Sequence, residues 1–117
     1  MDLWFEKRND TLLVRIKGEL DAHTADDLRQ GMEQYLKDDP SLKNLIMQLN
    51  GVDFIDSSGI GVILGRFKTL RQRGGKMGAV GLHPSVKRIF ELSGMTKLMS
   101  IHETLEAAER DFGIARR

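Results

Sequence analysis

Leu45-Ile46-Met47-Gln48-Leu49 runs into Asn50-Gly51-Val52-Asp53-Phe54-Ile55-Asp56-Ser57-Ser58-Gly59, and that segment runs into Ile60-Gly61-Val62-Ile63-Leu64-Gly65-Arg66. The first five residues form a short, nearly continuous apolar run, the pattern of a strand buried on both faces in the middle of a sheet. In the last segment the period changes. Ile60, Ile63, Leu64, Phe67 and Leu70 recur at helical spacing, and Gly74-Gly75 ends the helix. A buried strand that passes through a polar loop into an amphipathic helix is the repeating unit of an α/β fold.

Working outward, Leu12, Val14 and Ile16 alternate with Leu13, Arg15 and Lys17. This period of two, with Asn9-Asp10 as a polar turn, predicts a hairpin of strands over 3–8 and 11–19. Ala25, Leu28, Met32, Tyr35 and Leu36 predict a helix that Thr24 can cap and that ends near Asp38-Asp39-Pro40. A strand is expected over 76–82. Pro84 begins a helix at its first position, where a missing N–H costs nothing, with Val86, Ile89 and Phe90 inward and Gly94 closing it. A last strand over 98–101 and a last helix over 104–112, with Leu105, Ala108 and Phe112 on one side, complete the order β-β-α-β-α-β-α-β-α. The fold class is α/β: a mixed sheet of four to five strands with four helices against it, and helices able to cover one face only.

The chain has 117 residues, 40% of them apolar and 30% charged, with a net charge of +1. A chain of this length buries roughly two thirds of its unfolded surface and forms one domain, 1–117. The charge balance argues against a dedicated nucleic-acid binder. The absence of cysteine excludes disulfides, thiolate metal sites and a cysteine nucleophile. No apolar run reaches the ~18 residues of a membrane span, and no secretory signal stands at Met1–Arg8. The expected location is the cytoplasm.

Few residues offer chemistry. His23 and His83 read as solvated loop histidines and His102 as a peripheral core residue. Asp26, Asp27, Asp38, Asp39, Glu106 and Glu109 read as solvated helix faces and first-turn charges. Asp21, Asp53 and Asp56 follow strands, at the sheet edge where ligands bind in α/β folds. They could hold a divalent cation, although turn formation and capping explain them as well. Gly59-Ile60-Gly61 and Gly65 suggest a nucleotide loop but match neither phosphate-binding fingerprint. Arg66, Lys68, Arg71, Arg73 and Lys76 form a solvated face or a dock for an acidic partner. Asp56-Ser57-Ser58-Gly59 is the informative spot. Capping leads on residue chemistry alone. Serine catalysis lacks its surrounding pattern. Phosphorylation remains open, because a helix N-terminus stabilises added negative charge.

Gly18-Glu19-Leu20-Asp21-Ala22-His23-Thr24 and Phe54-Ile55-Asp56-Ser57-Ser58-Gly59-Ile60-Gly61-Val62-Ile63-Leu64-Gly65-Arg66 resemble the two signature segments of the STAS domain family, and within it the sporulation anti-sigma factor antagonists. Val86–Gly94 resembles their third-helix segment. The resemblance implies a protein that is not an enzyme. Unphosphorylated, it would bind an ATP- or ADP-bound anti-sigma factor that is also a serine kinase, and so free the sigma factor. Phosphorylation at the second serine, here Ser58, would end binding, and a PP2C-type phosphatase would reset the protein. The implied contact residues are Asp21, His23, Thr24, Asp56, Ser57, Ser58, Gly59, Ile60 and Gly61, with Gly59 and Gly61 permitting close approach. No catalytic residue, metal, cofactor, nucleic acid or membrane is implied, and the free protein is expected to be a monomer. The alternatives are a nucleotide-binding STAS domain and an antagonist of the general stress response.

Overall fold

Residues 1–114 are described by a computed structural model. Strands β1 (Asp2–Arg8) and β2 (Thr11–Lys17) pair antiparallel across the two-residue turn, where Asn9 takes the left-handed φ of 53° that Asn tolerates. Next come α1 (Ala25–Asp38), β3 (Asn44–Gly51), α2 (Ser57–Gln72), β4 (Met77–Val80), α3 (Pro84–Leu92), a 3₁₀ turn (Met95–Lys97), β5 (Ser100–His102) and α4 (Leu105–Asp111). The sheet order is β1-β2-β3-β4-β5, with β2 through β5 parallel. The fold is thus a single α/β domain with a five-stranded mixed sheet and four helices.

The larger core lies on one face of the sheet. Leu12, Val14, Ile16, Leu45, Met47 and Leu49 meet Leu28, Met32 and Leu36 of α1, Ile63 and Leu70 of α2, and Val86 and Phe90 of α3. Helices were expected to be able to leave the other face bare, but α4 covers part of it. Ala108 and Phe112 pack there on Leu13, Ile46 and Val80. Gly78 makes this contact possible, because a Cβ on it would stand 3.0 Å from the Phe112 ring. Both faces of β3 are therefore apolar, which is why its sequence shows almost no alternation.

Several expectations are corrected. The last strand is β5 at Ser100–His102 rather than 98–101, because Gly94 turns left-handed at φ 79° and starts the 3₁₀ turn, which ends at Leu98. Strand β4 is shorter than 76–82, since Gly81 at φ 71° bends the chain away. Strand β2 stops at Lys17 rather than residue 19. Glu109 does not belong to a solvated face: it is fully buried on α4, and Arg8 Nη1 donates to it over 2.8 Å.

The basic run on α2 is not a uniform solvated face. Arg73 reaches across to α1, donating from Nη2 to Leu36 O at 2.7 Å and from Nη1 to Leu42 O at 2.7 Å. The Arg66 side chain is only 12% exposed and lies 3.8 Å from Glu33. Lys76 donates to Asp111 O and sits over the Phe112 ring. Only Lys68 and Arg71 of this run are exposed on α2.

Candidate functional site

The parallel strands β2 and β3 end side by side, and the loops that follow them are zipped together. Leu20 and Ile55 form an isolated parallel bridge. Leu20 N–H donates to Phe54 O at 3.0 Å, and Asp56 N–H donates to Leu20 O at 3.1 Å. Both Leu20 and Ile55 are buried, so apolar burial fixes the register of the two loops. The zipper brings the Asp21–Thr24 loop beside the start of α2, as the sequence suggested.

Asp56 caps α2. Its Oδ1 accepts from Ser58 N–H at 2.9 Å and Gly59 N–H at 3.4 Å, satisfying two of the free donors of the first turn. Ser57 is exposed and Ser58 half-buried directly after the cap. Ile60 is half-buried and Gly61 exposed, with nothing within 4 Å of where its Cβ would stand.

Gly59 has a different role from the one expected. It is buried, and a Cβ there would meet Ile55 Cγ1 at 2.8 Å and the Leu20 carbonyl oxygen at 3.1 Å. The close approach it permits is that of α2 to its own flanking loops, so its surface is spent inside the chain.

At α1 the expected capping residue is also corrected. Thr24 makes no side-chain cap. Its hydroxyl donates to Glu19 O and accepts from Asp21 N–H, and so closes the loop rather than the helix. Asp21 shapes the turn just ahead of α1: its Oδ1 accepts from His23 N–H at 2.9 Å and Thr24 N–H at 3.2 Å. Burial pushes the Asp21 carboxyl up, but the hydrogen bonds from His23 and Thr24 outweigh it and hold the group below its ordinary value. His23 itself is exposed.

A third loop joins these two, and no pattern in the sequence announces it. Ser85 Oγ donates to Asp53 O at 2.9 Å and so ties the start of α3 to the loop before α2. His83, expected to be merely solvated, is exposed but caps α3, its Nδ1 accepting from Ser85 N–H at 3.2 Å. His102 is half-buried, with Nε2 2.9 Å from Ser100 Oγ, in keeping with a peripheral core residue.

Two chemical readings lose their geometry. Among the described residues, no three His, Asp or Glu side chains gather as a metal site. Asp21 is turned onto the amides of the loop just before α1 and Asp56 onto those of the first turn of α2. Gly61 and Gly65 lie inside α2 rather than in a loop before it, so they offer no phosphate cradle of the nucleotide-binding kind.

The family profile of the STAS domain matches residues 4–108. The chain is 37% identical over 103 residues to an anti-sigma F factor antagonist of Paenibacillus polymyxa, covering 88% of this chain and 87% of that one. It is 34% identical over 97 residues to an anti-sigma-B factor antagonist of Listeria monocytogenes, covering 82% of each. Among solved structures it superposes on the anti-sigma factor antagonist SpoIIAA in its unphosphorylated form with a TM-score of 0.83, at 28% identity over 98% of this chain and 100% of that one. The phosphorylated form of the Bacillus cell fate determinant SpoIIAA gives a TM-score of 0.75, at 26% identity over 94% of this chain and 99% of that one.

Proposed function

The chain belongs to the STAS domain family, and from that membership we propose that it is an anti-sigma factor antagonist switched by phosphorylation of Ser58. Unphosphorylated, it binds an ATP- or ADP-bound anti-sigma factor that is also a serine kinase, and the sigma factor is released. The kinase transfers phosphate to Ser58, the complex parts, and a PP2C-type phosphatase restores the serine. The chain acts as a regulatory partner rather than an enzyme, in the cytoplasm and as a monomer when free. The single observation that carries this reading is the start of α2. Ser57 and Ser58 stand there at the rim of a helix pinned by Asp56 and by the Leu20–Ile55 bridge, next to the Asp21–Thr24 loop. The two solved forms of SpoIIAA, one phosphorylated and one not, support a phosphorylation switch in such a fold.

Simple electrostatics gives the switch its force. A phosphate adds about −1.5 to −2 charges and three acceptor oxygens. Neither 18–28 nor 50–61 contains a Lys or Arg to neutralise it. A partner that packs over Ser57, Ile60 and Gly61 without bringing a counter-charge would have to desolvate that anion, which is strongly unfavourable. Asp21, His23 and Thr24 form the adjoining rim of the contact.

Peptide mass spectrometry after incubation with ATP and the anti-sigma kinase tests the assignment. One phosphate on Ser58 is expected, with none on a Ser58→Ala protein that still binds the kinase and frees the sigma factor. Phosphate on Ser57 instead, or none with an active kinase, overturns it. The sigma-B relative supports a second reading, in which the sigma factor downstream serves a stress response. Binding compared across anti-sigma F and anti-sigma B factors separates the two.

A further inference from the structure

Among the described residues, the large apolar side chains left exposed are Met1, Trp4, Phe54 and Leu92. Met1 and Trp4 belong to the outer edge of the hairpin, and Leu92 ends α3. Phe54 alone lies on the zipped loops at the serine pair. It is 45% exposed, although Ile55 next to it and Val52 two residues before it are each 1% exposed.

We propose that Phe54 is the apolar anchor by which this chain docks on its anti-sigma factor, seated in an apolar pocket of that protein and covered by the same contact that covers Ser57 and Ser58. This rests on the function proposed above. It goes beyond it by naming the side chain that supplies the binding energy and by linking that energy to the switch.

The backbone around Phe54 is held from every side. Its own carbonyl accepts from Leu20 N–H, the carbonyl of Asp53 accepts from Ser85 Oγ, and Asp56 N–H donates to Leu20 O. A ring presented from a pinned backbone loses little freedom on binding, so most of its burial is available as affinity. Phe carries no polar atom that water could satisfy, and exposure of half its surface gains nothing for the free chain. Aromatic side chains of this kind dominate interface energetics when they enter a desolvated pocket near the centre of the contact.

The occupant follows from continuity. Phe54 stands in the bridged loop that leads into α2, and Ser58 follows four positions on in the first turn of that helix, so a partner surface broad enough to seat the ring would reach the serine too. The water excluded around the ring is the water a phosphate on Ser58 would need. Seating Phe54 therefore converts a surface phosphate into a desolvated one, and this makes a modification at the rim decisive for binding.

Calorimetric titration of the full chain into the anti-sigma F and anti-sigma B factors of the same organism, each loaded with ADP, tests the inference. Wild type should bind one of them and Ser58→Asp should not. Phe54→Ala should weaken that binding at least about tenfold and Phe54→Leu should recover part of it, while Leu92→Ala stays within about twofold. Solvent paramagnetic relaxation of the Phe54 ring protons in the wild-type chain should also fall on binding, a readout that does not depend on how the variant folds. Binding by Phe54→Ala equal to wild type, or a ring that stays solvent-accessible in the complex, overturns the anchor and leaves the proposed function standing. Failure of wild type to bind either factor overturns both. A dimer of the free chain that Phe54→Ala abolishes assigns the ring to a second copy and overturns the anchor.

Discussion

Asp21 holds the start of α1 without belonging to the helix. Its carboxylate accepts from His23 and Thr24 N–H, and the Thr24 hydroxyl folds back on Glu19 and Asp21. These bonds favour the ionised form and keep the carboxyl below its ordinary value of 3.8 in the folded chain, against the opposing push of burial. A carboxylate with a lowered folded pKa adds stability that is fully present above the unfolded value. That stability fades as the pH falls through the folded one, because protonation removes what the native state alone had favoured. The stability difference between wild type and Asp21→Ala, from urea denaturation, should therefore be constant between about pH 7 and about pH 5 and narrow steadily below about pH 4. A difference that widens on acidification would mean that the carboxylate is not the favoured form in the fold. The same loop shows how residue chemistry can mislead. Thr24 stands where a cap is expected and has the right hydroxyl, but the Glu19 carbonyl is a nearer partner, and only the path of the preceding loop decides between them.

At the scale of elements, what was legible followed from period. The apolar run of β3, the stripe of α2 and the Pro84 start of α3 all depend on neighbours along the chain, and all lie where the sequence put them. The 3₁₀ turn before β5 was not legible, because three residues carry no period and the burial of Met95 is decided by α3. Arg73 departs from the expected solvated face for a related reason. It ends a helix with several basic neighbours, as a solvated residue would, but its guanidinium serves the carbonyls at the end of α1, more than thirty residues earlier in the chain. It donates to Leu36 O, Leu42 O and, at 3.3 Å, Asp39 O. Carbonyls left over at a helix end need such donors, and hydrogen bonds from a charged donor are stronger than neutral ones. Arg73→Ala should cost about 2 kcal/mol in urea denaturation. Arg73→Lys should recover only part of it, since one ammonium on a flexible stem cannot reproduce the planar fork. A loss within about 0.5 kcal/mol would return Arg73 to the ordinary surface. The Ser85–Asp53 contact was equally invisible, since nothing local to either residue announces a partner 32 positions away.

For the whole molecule, the parallel arrangement of β2 through β4 decides where the proposed switch can act. Parallel strands deliver the loops before α1, α2 and α3 to one edge of the sheet, and three hydrogen bonds, Leu20–Phe54 and Asp56–Leu20 between backbones and Ser85–Asp53 from the serine hydroxyl, bind those loops into a single rim. The opposite face carries α4 and the Arg8–Glu109 pair, in which Glu109 is buried and Arg8 partly exposed. A charge added at Ser58 meets the Asp56 carboxylate first, and both anions compete for the amides of Ser58 and Gly59. The disturbance stays at the rim, because Gly59 is wedged against Leu20 and Ile55 and those residues are fixed in the main core. Phosphorylation should therefore block binding where it sits rather than rearrange the fold. Amide chemical shifts of the phosphorylated and unphosphorylated chains should differ mainly over 18–25, 52–62 and 82–86, largest at Ser58 and Gly59, while α4, β5 and the β1–β2 turn stay unchanged. Shifts of comparable size across α4 or the hairpin would show that the charge is read by the sheet as a whole, and the local block would have to give way to a global rearrangement.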